Sequence, residues 1–273
     1  MAISRRDALK YSTILAASTA MAGSTNTSNP KVIKSNNKAR IADTNKPRVV
    51  VVGGGWSGLS VAKYTKIFAP NSDVILVEQR HEFISCPMSN LWLVDKINLE
   101  YLTHDYLQAA RNNNYTYFQA TATGLDKTNN ILHTSNGDIN YDYIIFACGI
   151  DYDYSRWTND IAFETRLRQD YPAGFIPGSE HITLKNKIKN FKGGNFILTV
   201  PSGNYRCLPA PYERACIIAD YFKSKKLDAK VILLDENNTV TIKKKGFESA
   251  FNELHGDYID YQYVPDDKSH SSV

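Results

Sequence analysis

Beyond its N-terminal stretch the chain has no long apolar run, no internal repeat, no clustered basic stripe and only four cysteines. Each absence removes a class of protein. With no later apolar run of about 18 residues there is no candidate membrane helix in the body of the chain. The formal charge of +4 includes a Lys- and Arg-bearing leader, so the body is nearer neutral and has no electrostatic footprint for nucleic acid. Cys86, Cys148, Cys207 and Cys216 are too widely separated for a zinc site, and no metal site is expected. In an oxidising compartment any of them could be bridged. A glycine-rich nucleotide turn occurs once where two-dinucleotide enzymes carry two, and that absence bears on the electron donor.

What is present is a soluble α/β composition, 42% hydrophobic over 273 residues. The N-terminal residues read as an address. Ser4-Arg5-Arg6-Asp7-Ala8-Leu9-Lys10 sets paired arginines before the Ala-rich stretch from Ile14 to Ala22, and Ala20-Met21-Ala22 offers a cleavage site. This predicts a twin-arginine-type signal peptide over 1–22, a polar linker over 23–46 and a periplasmic protein. Ala8 stands where that signal usually has Phe, which leaves the ordinary export route open.

Val49-Val50-Val51-Val52 runs into Gly53-Gly54-Gly55-Trp56-Ser57-Gly58, a strand entering G-x-G-x-x-G ahead of a helical segment. Gly53 permits the tight turn, Gly55 lets backbone approach a pyrophosphate, and Gly58 lets helix and strand pack closely, with helix N–H groups facing the anion. A second apolar run, Val74 to Val77, ends in Glu78, twenty positions after Gly58, where an acid can accept adenosine ribose hydroxyls. Further on, Tyr115 to Phe118 reads as a strand, and Thr121 to Thr123 with Asn130 to Thr134 as a meander. Asp142 to Gly149 reads as a buried strand whose small end residues, Ala147 and Gly149, allow close approach to a flavin dinucleotide. Cys148 reads as a small buried residue.

A second Rossmann-like domain is expected from the strand Gly193 to Val200, a helix over Glu213 to Phe222 and the strand Val231 to Asp235. Between its first strand and helix, residues 201–214 hold one glycine, Gly203, and three prolines. Proline removes N–H donors and fixes φ, so this turn does not cradle a pyrophosphate, and NAD(P)H is not the expected electron donor.

Three motifs carry a resemblance that runs from about Pro47 onward: the Gly53 to Gly58 turn with Glu78, Ser85-Cys86-Pro87-Met88-Ser89-Asn90, and Arg206-Cys207-Leu208-Pro209-Ala210-Pro211-Tyr212-Glu213-Arg214-Ala215. With these the sequence resembles the flavoprotein subunit of flavocytochrome c sulfide dehydrogenase, a relative of sulfide:quinone oxidoreductase in the glutathione-reductase-like superfamily. The resemblance implies FAD, covalently held through Cys86 by a thioether to the flavin 8-methyl group. It implies that Cys207 is the catalytic half of a redox-active disulfide. It further implies sulfide as substrate and a c-type cytochrome as electron acceptor. Hydrosulfide can attack a disulfide sulfur, and the leaving thiolate can pass electrons to a flavin. Glu213 and Arg214 read as a helix-start charge pair.

The expected architecture is two glutathione-reductase-type nucleotide-binding domains. The FAD-binding domain spans 47–150, a crossover 151–184, the second domain 185–265 and a polar tail 266–273. Family members continue beyond the point matched by Val273, and the second disulfide cysteine lies there, which gives this chain the look of a truncated form. Two other readings therefore stand beside the sulfide dehydrogenase subunit: an inactive remnant or FAD-binding module, and a sulfide:quinone oxidoreductase.

Overall fold

The computed structural model describes residues 41–264 apart from positions 43 and 204. The signal segment 1–22, most of the linker 23–46 and the tail 266–273 lie outside the described residues. In chain order the elements begin with β1 (Arg48–Val52), α1 (Trp56–Phe68), β2 (Asp73–Glu78), β3 (Glu82–Ile84), α2 (Ser89–Leu93), β4 (Thr103–Asp105) and α3 (Tyr106–Asn113). There follow β5 (Thr116–Gln119), β6 (Ala122–Asp126), β7 (Ile131–Thr134), β8 (Gly137–Asn140), β9 (Tyr143–Phe146), α4 (Ile161–Asp170) and α5 (Ser179–Asn190). The chain then forms β10 (Gly194–Val200), α6 (Ala210–Ser224), β11 (Ala229–Asp235), α7 (Lys244–Ser249) and β12 (Ile259–Tyr263).

The chain divides into two compact units, residues up to 84 with 103–166, and 85–102 with 167 onward. The first is built on a parallel sheet in the order β5-β2-β1-β9. Its inner strands are apolar on both faces because both are covered. Val49, Val51, Val74 and Leu76 pack with Ala62, Tyr106 and Ala110, while Val50, Val52, Ile75 and Val77 pack with Leu132 and Ile139 from the β6-β7-β8 meander. Asp105 starts α3 by accepting the Gln108 N–H, and Asn114 ends it in a left-handed conformation. The sequence predicts a buried strand at 142–149, but β9 is a half-exposed edge, with Tyr143 63% and Phe146 51% accessible, because β1 is its only strand partner among the described residues.

The second unit holds the parallel sheet β10-β11-β12. α6 buries Ala215, Ile218, Ala219 and Phe222, and Phe222 joins Phe191 and Phe196 in an aromatic cluster. Residues 85–102 belong to this unit, whereas the sequence reading keeps them within 47–150. The reason is packing: Trp92 lies edge-on to His181 on α5, and Asn90 is bonded to Arg214 on α6. No helix among the described residues is long and apolar enough to cross a membrane.

Candidate functional site

In the first unit the predicted dinucleotide residues converge at the carboxyl ends of β1, β2 and β9. Gly53 has φ +102°, and a Cβ there would lie 2.5 Å from the Ala147 carbonyl oxygen, so the turn and the end of β9 are in backbone contact. A Cβ on Gly58 would sit 1.8 Å from the Gly53 carbonyl oxygen, which only glycine allows at this helix–turn approach. Gly55 is different. It precedes α1 with φ −72° and no side-chain cap, and a Cβ there would meet nothing within 4 Å. The turn is thus closed around Gly53 and Gly58 and open at Gly55, beside the N-terminus of a 13-residue helix. That is the form a pyrophosphate requires.

Glu78 is buried at the end of β2. Its Oε2 accepts the Gly54 N–H at 2.7 Å and its Oε1 accepts the Arg80 N–H at 2.9 Å. The middle glycine is also constrained: Tyr106 donates its hydroxyl to the Gly54 carbonyl at 2.8 Å, and a Cβ on Gly54 would come within 2.7 Å of that ring. Burial, with the Glu78 charge adding to it, raises the Tyr106 phenol well above its usual range. Tyr106 was not expected from sequence, because its partner lies 52 residues away and no local pattern marks it. Gly149 has φ +78° and is open on its Cβ side. Cys148 is exposed, contrary to the expectation of a buried small residue, with its Sγ 3.7 Å from the Val52 carbonyl oxygen.

Cys86 and Cys207 both fall in the second unit, as free thiols. Each precedes a helix by three residues in the same way: the Cys86 carbonyl accepts the Ser89 N–H at 3.0 Å, and the Cys207 carbonyl accepts the Ala210 N–H at 2.9 Å. Each turn holds a non-glycine residue in the left-handed region, Met88 at φ 67° and Cys207 itself at φ 61°. Such strain persists only where the surroundings enforce it. Cys207 is exposed and Cys86 partly buried. Burial pushes the Cys86 thiol up, while the positive charges of Arg206 and Arg214 and a hydrogen bond with Ser89 pull it down. Cys216, inside α6, is pushed up to about 11 by burial, with the Glu213 charge acting the same way. Arg214, read from sequence as one of a helix-start charge pair, lies in the first two turns of α6 and is buried.

At the end of β11, where a nicotinamide-dependent domain offers an acid to the adenosine ribose, Asp235 is fully buried. It accepts hydrogen bonds from the hydroxyls of Tyr212 at 2.7 Å and Tyr261 at 3.1 Å, and from the Asn237 N–H at 2.9 Å. No group of three or more His, Cys, Asp or Glu residues that could hold a metal occurs among the described residues.

A parallel sheet ending in this glycine turn defines a dinucleotide-binding oxidoreductase fold, and the chain belongs to the pyridine nucleotide-disulphide oxidoreductase family, whose model matches residues 16–161. Residues 182–273 match a narrower family, the central part of the sulfide dehydrogenase [flavocytochrome c] flavoprotein chain. The chain is 54% identical over 43 residues to the sulfide dehydrogenase [flavocytochrome c] flavoprotein chain of Chlorobaculum thiosulfatiphilum, covering 16% of this chain and 90% of that sequence. It is 26% identical over 195 residues to the mitochondrial sulfide:quinone oxidoreductase of Dictyostelium discoideum, covering 69% of this chain and 42% of that one. Among solved structures, the sulfide:quinone oxidoreductase of Aquifex aeolicus superposes with a TM-score of 0.65 at 18% identity, over 80% of this chain and 51% of that one. NDH2 from Plasmodium falciparum in complex with NADH gives a TM-score of 0.60 at 15% identity, over 82% and 50%. The chain spans about half the length of the sulfide:quinone oxidoreductases it matches.

Proposed function

We propose that the chain is the FAD-carrying part of a sulfide-oxidising enzyme of the flavocytochrome c sulfide dehydrogenase type. The observation that carries this reading is the pairing of the Cys86 and Cys207 turns within one unit, each set ahead of a helix and joined through Asn90 and Arg214. In this reading the Gly53 to Gly58 turn takes the FAD pyrophosphate and Glu78 the ribose, with Ala147 and Gly149 leaving room for the dinucleotide. Cys86 is the covalent attachment point, and the exposed Cys207 is the sulfur that meets sulfide. The flavin supplies a two-electron acceptor. The electrons pass on to a c-type cytochrome, and the enzyme works in the periplasm.

NAD(P)H has no part in this account. The 201–209 turn holds two prolines, and Asp235 is already committed to Tyr212, Tyr261 and Asn237. A quinone acceptor is the second reading, favoured by the sulfide:quinone oxidoreductases that match 69–77% of this chain.

Anaerobic titration of the flavin-loaded chain separates these readings. Sulfide bleaches the flavin, NADH does not, and ferricytochrome c restores the colour. Restoration by a short-chain quinone but not by cytochrome c selects the second reading. A chain that holds flavin but is indifferent to sulfide overturns both and leaves an FAD-binding module.

A further inference from the structure

Arg214 lies within the first two turns of α6 and is only 7% exposed. Its guanidinium spans three separate points of the second unit. Nε donates to Asn90 Oδ1 at 3.0 Å, Nη1 to the Ala173 carbonyl and Nη2 to the Gly174 carbonyl at 3.1 Å. The guanidinium also lies 5.4 Å from the centre of the Phe175 ring. The receiving loop is shaped for it: Gly174 has φ +71°, and a Cβ there would come within 3.1 Å of Nη1 and 2.7 Å of Leu184 Cδ2. Burying a guanidinium is unfavourable unless its donors are met, and the planar fork suits an amide and two carbonyls where a lysine would reach one. A charge kept only to start a helix would stay in water.

The place of the tie gives it a role. Asn90 is four residues past Cys86, on α2, and Arg214 is seven past Cys207, on α6. The bond between them joins the two cysteine-bearing turns across 124 residues of sequence. We infer that Arg214 is a positioning residue, which through Asn90 clamps the turn carrying Cys86 against the helix that follows Cys207 and so fixes where the Cys86 thiol points. The inference deepens the assignment of Cys86 as the flavin attachment point and rests on it for its meaning. The charged and titratable groups acting on Cys86 are Arg206, Arg214 and Cys207, so a test has to change the tie without deleting the Arg214 charge.

Asn90→Ala and Arg214→Lys do so. In the full chain prepared without flavin and fully reduced, iodoacetamide labelling at fixed pH, read peptide by peptide by mass spectrometry, follows each cysteine separately. Release of the turn makes Cys86 react about threefold faster or more in both variants, as local opening does. Cys207 and Cys216 keep their native rates. Cys216, two residues beyond Arg214 on the same helix, is the internal control: a rise at Cys216 matching that at Cys86 means general loosening and overturns the inference, as does an unchanged Cys86. If Arg214→Lys does not fold, Asn90→Ala decides alone. Because no flavin is present, the outcome is independent of whether the native chain proves to carry covalent flavin.

Discussion

The Glu78 carboxylate accepts the Gly54 N–H at 2.7 Å, so the strand-end acid and the glycine turn, 24 residues apart, form one buried structure. The acid holds the turn from the end of β2. Glu78→Ala strips a buried N–H of its acceptor, and we expect it to cost about 1–3 kcal/mol of stability. Urea unfolding of the flavin-free chain checks this, and FAD titration of the same variant shows a matching loss of affinity.

The glycines of the turn separate into two kinds. Gly58→Ala places a methyl 1.8 Å from the Gly53 carbonyl oxygen, which forces the helix off the strand at a cost on the order of 1–3 kcal/mol and abolishes FAD binding. Gly55→Ala meets nothing within 4 Å and leaves the melting temperature of the flavin-free chain essentially unchanged. Its methyl enters the space through which the pyrophosphate approaches, so FAD affinity falls. Thermal melts and FAD titrations on both variants check the contrast. Native FAD affinity in Gly55→Ala would contradict the placement of the pyrophosphate.

His181 is buried, and burial, aided by the Arg214 charge, holds its pKa below the usual 6.5. The folded chain keeps this imidazole neutral while the unfolded chain takes up a proton. The stability it contributes is therefore complete above about pH 6.5 and is lost as the pH falls below that value. His181→Phe removes the titrating group, so the decline in stability between pH 7 and pH 5 is reduced. Urea midpoints at pH 7 and pH 5 for the two proteins give the comparison.

Cys216 and Tyr117 are two of the partly buried groups that weaken the fold at alkaline pH. Burial pushes the first up to about 11 and the second up to about 12, so the folded chain retains protons that the unfolded chain has released. Stability is full below about pH 9, where both groups are protonated in either state, and falls as the pH rises toward 11 and 12. Cys216→Ala shifts the onset of alkaline unfolding to higher pH, read by circular dichroism at fixed temperature. An unchanged onset would place the sensitive group elsewhere.

Much of this was legible in the sequence. The runs Val49 to Val52 and Val74 to Val77 are apolar on both faces because they are inner strands of a covered parallel sheet, and Gly53 and Gly58 between them are fixed by close backbone approaches that no other residue tolerates. The missing second fingerprint was equally plain, since proline acts locally. What escaped was non-local. Tyr106 meets Gly54 across 52 residues and Asn90 meets Arg214 across 124, and neither contact leaves a periodic trace in the chain. For the same reason residues 85–102 read as part of the first domain, although Trp92 and Asn90 pack within the second unit.

The most direct measurement is acid precipitation of the flavin-loaded chain, followed by peptide mass spectrometry on the pellet, for the native protein and for Cys86→Ala. The account predicts flavin that stays with the native polypeptide, adds its mass to the peptide containing Cys86 and is released entirely from the variant. Flavin that leaves the native chain on precipitation, or that maps to Cys148, Cys207 or Cys216, would contradict it.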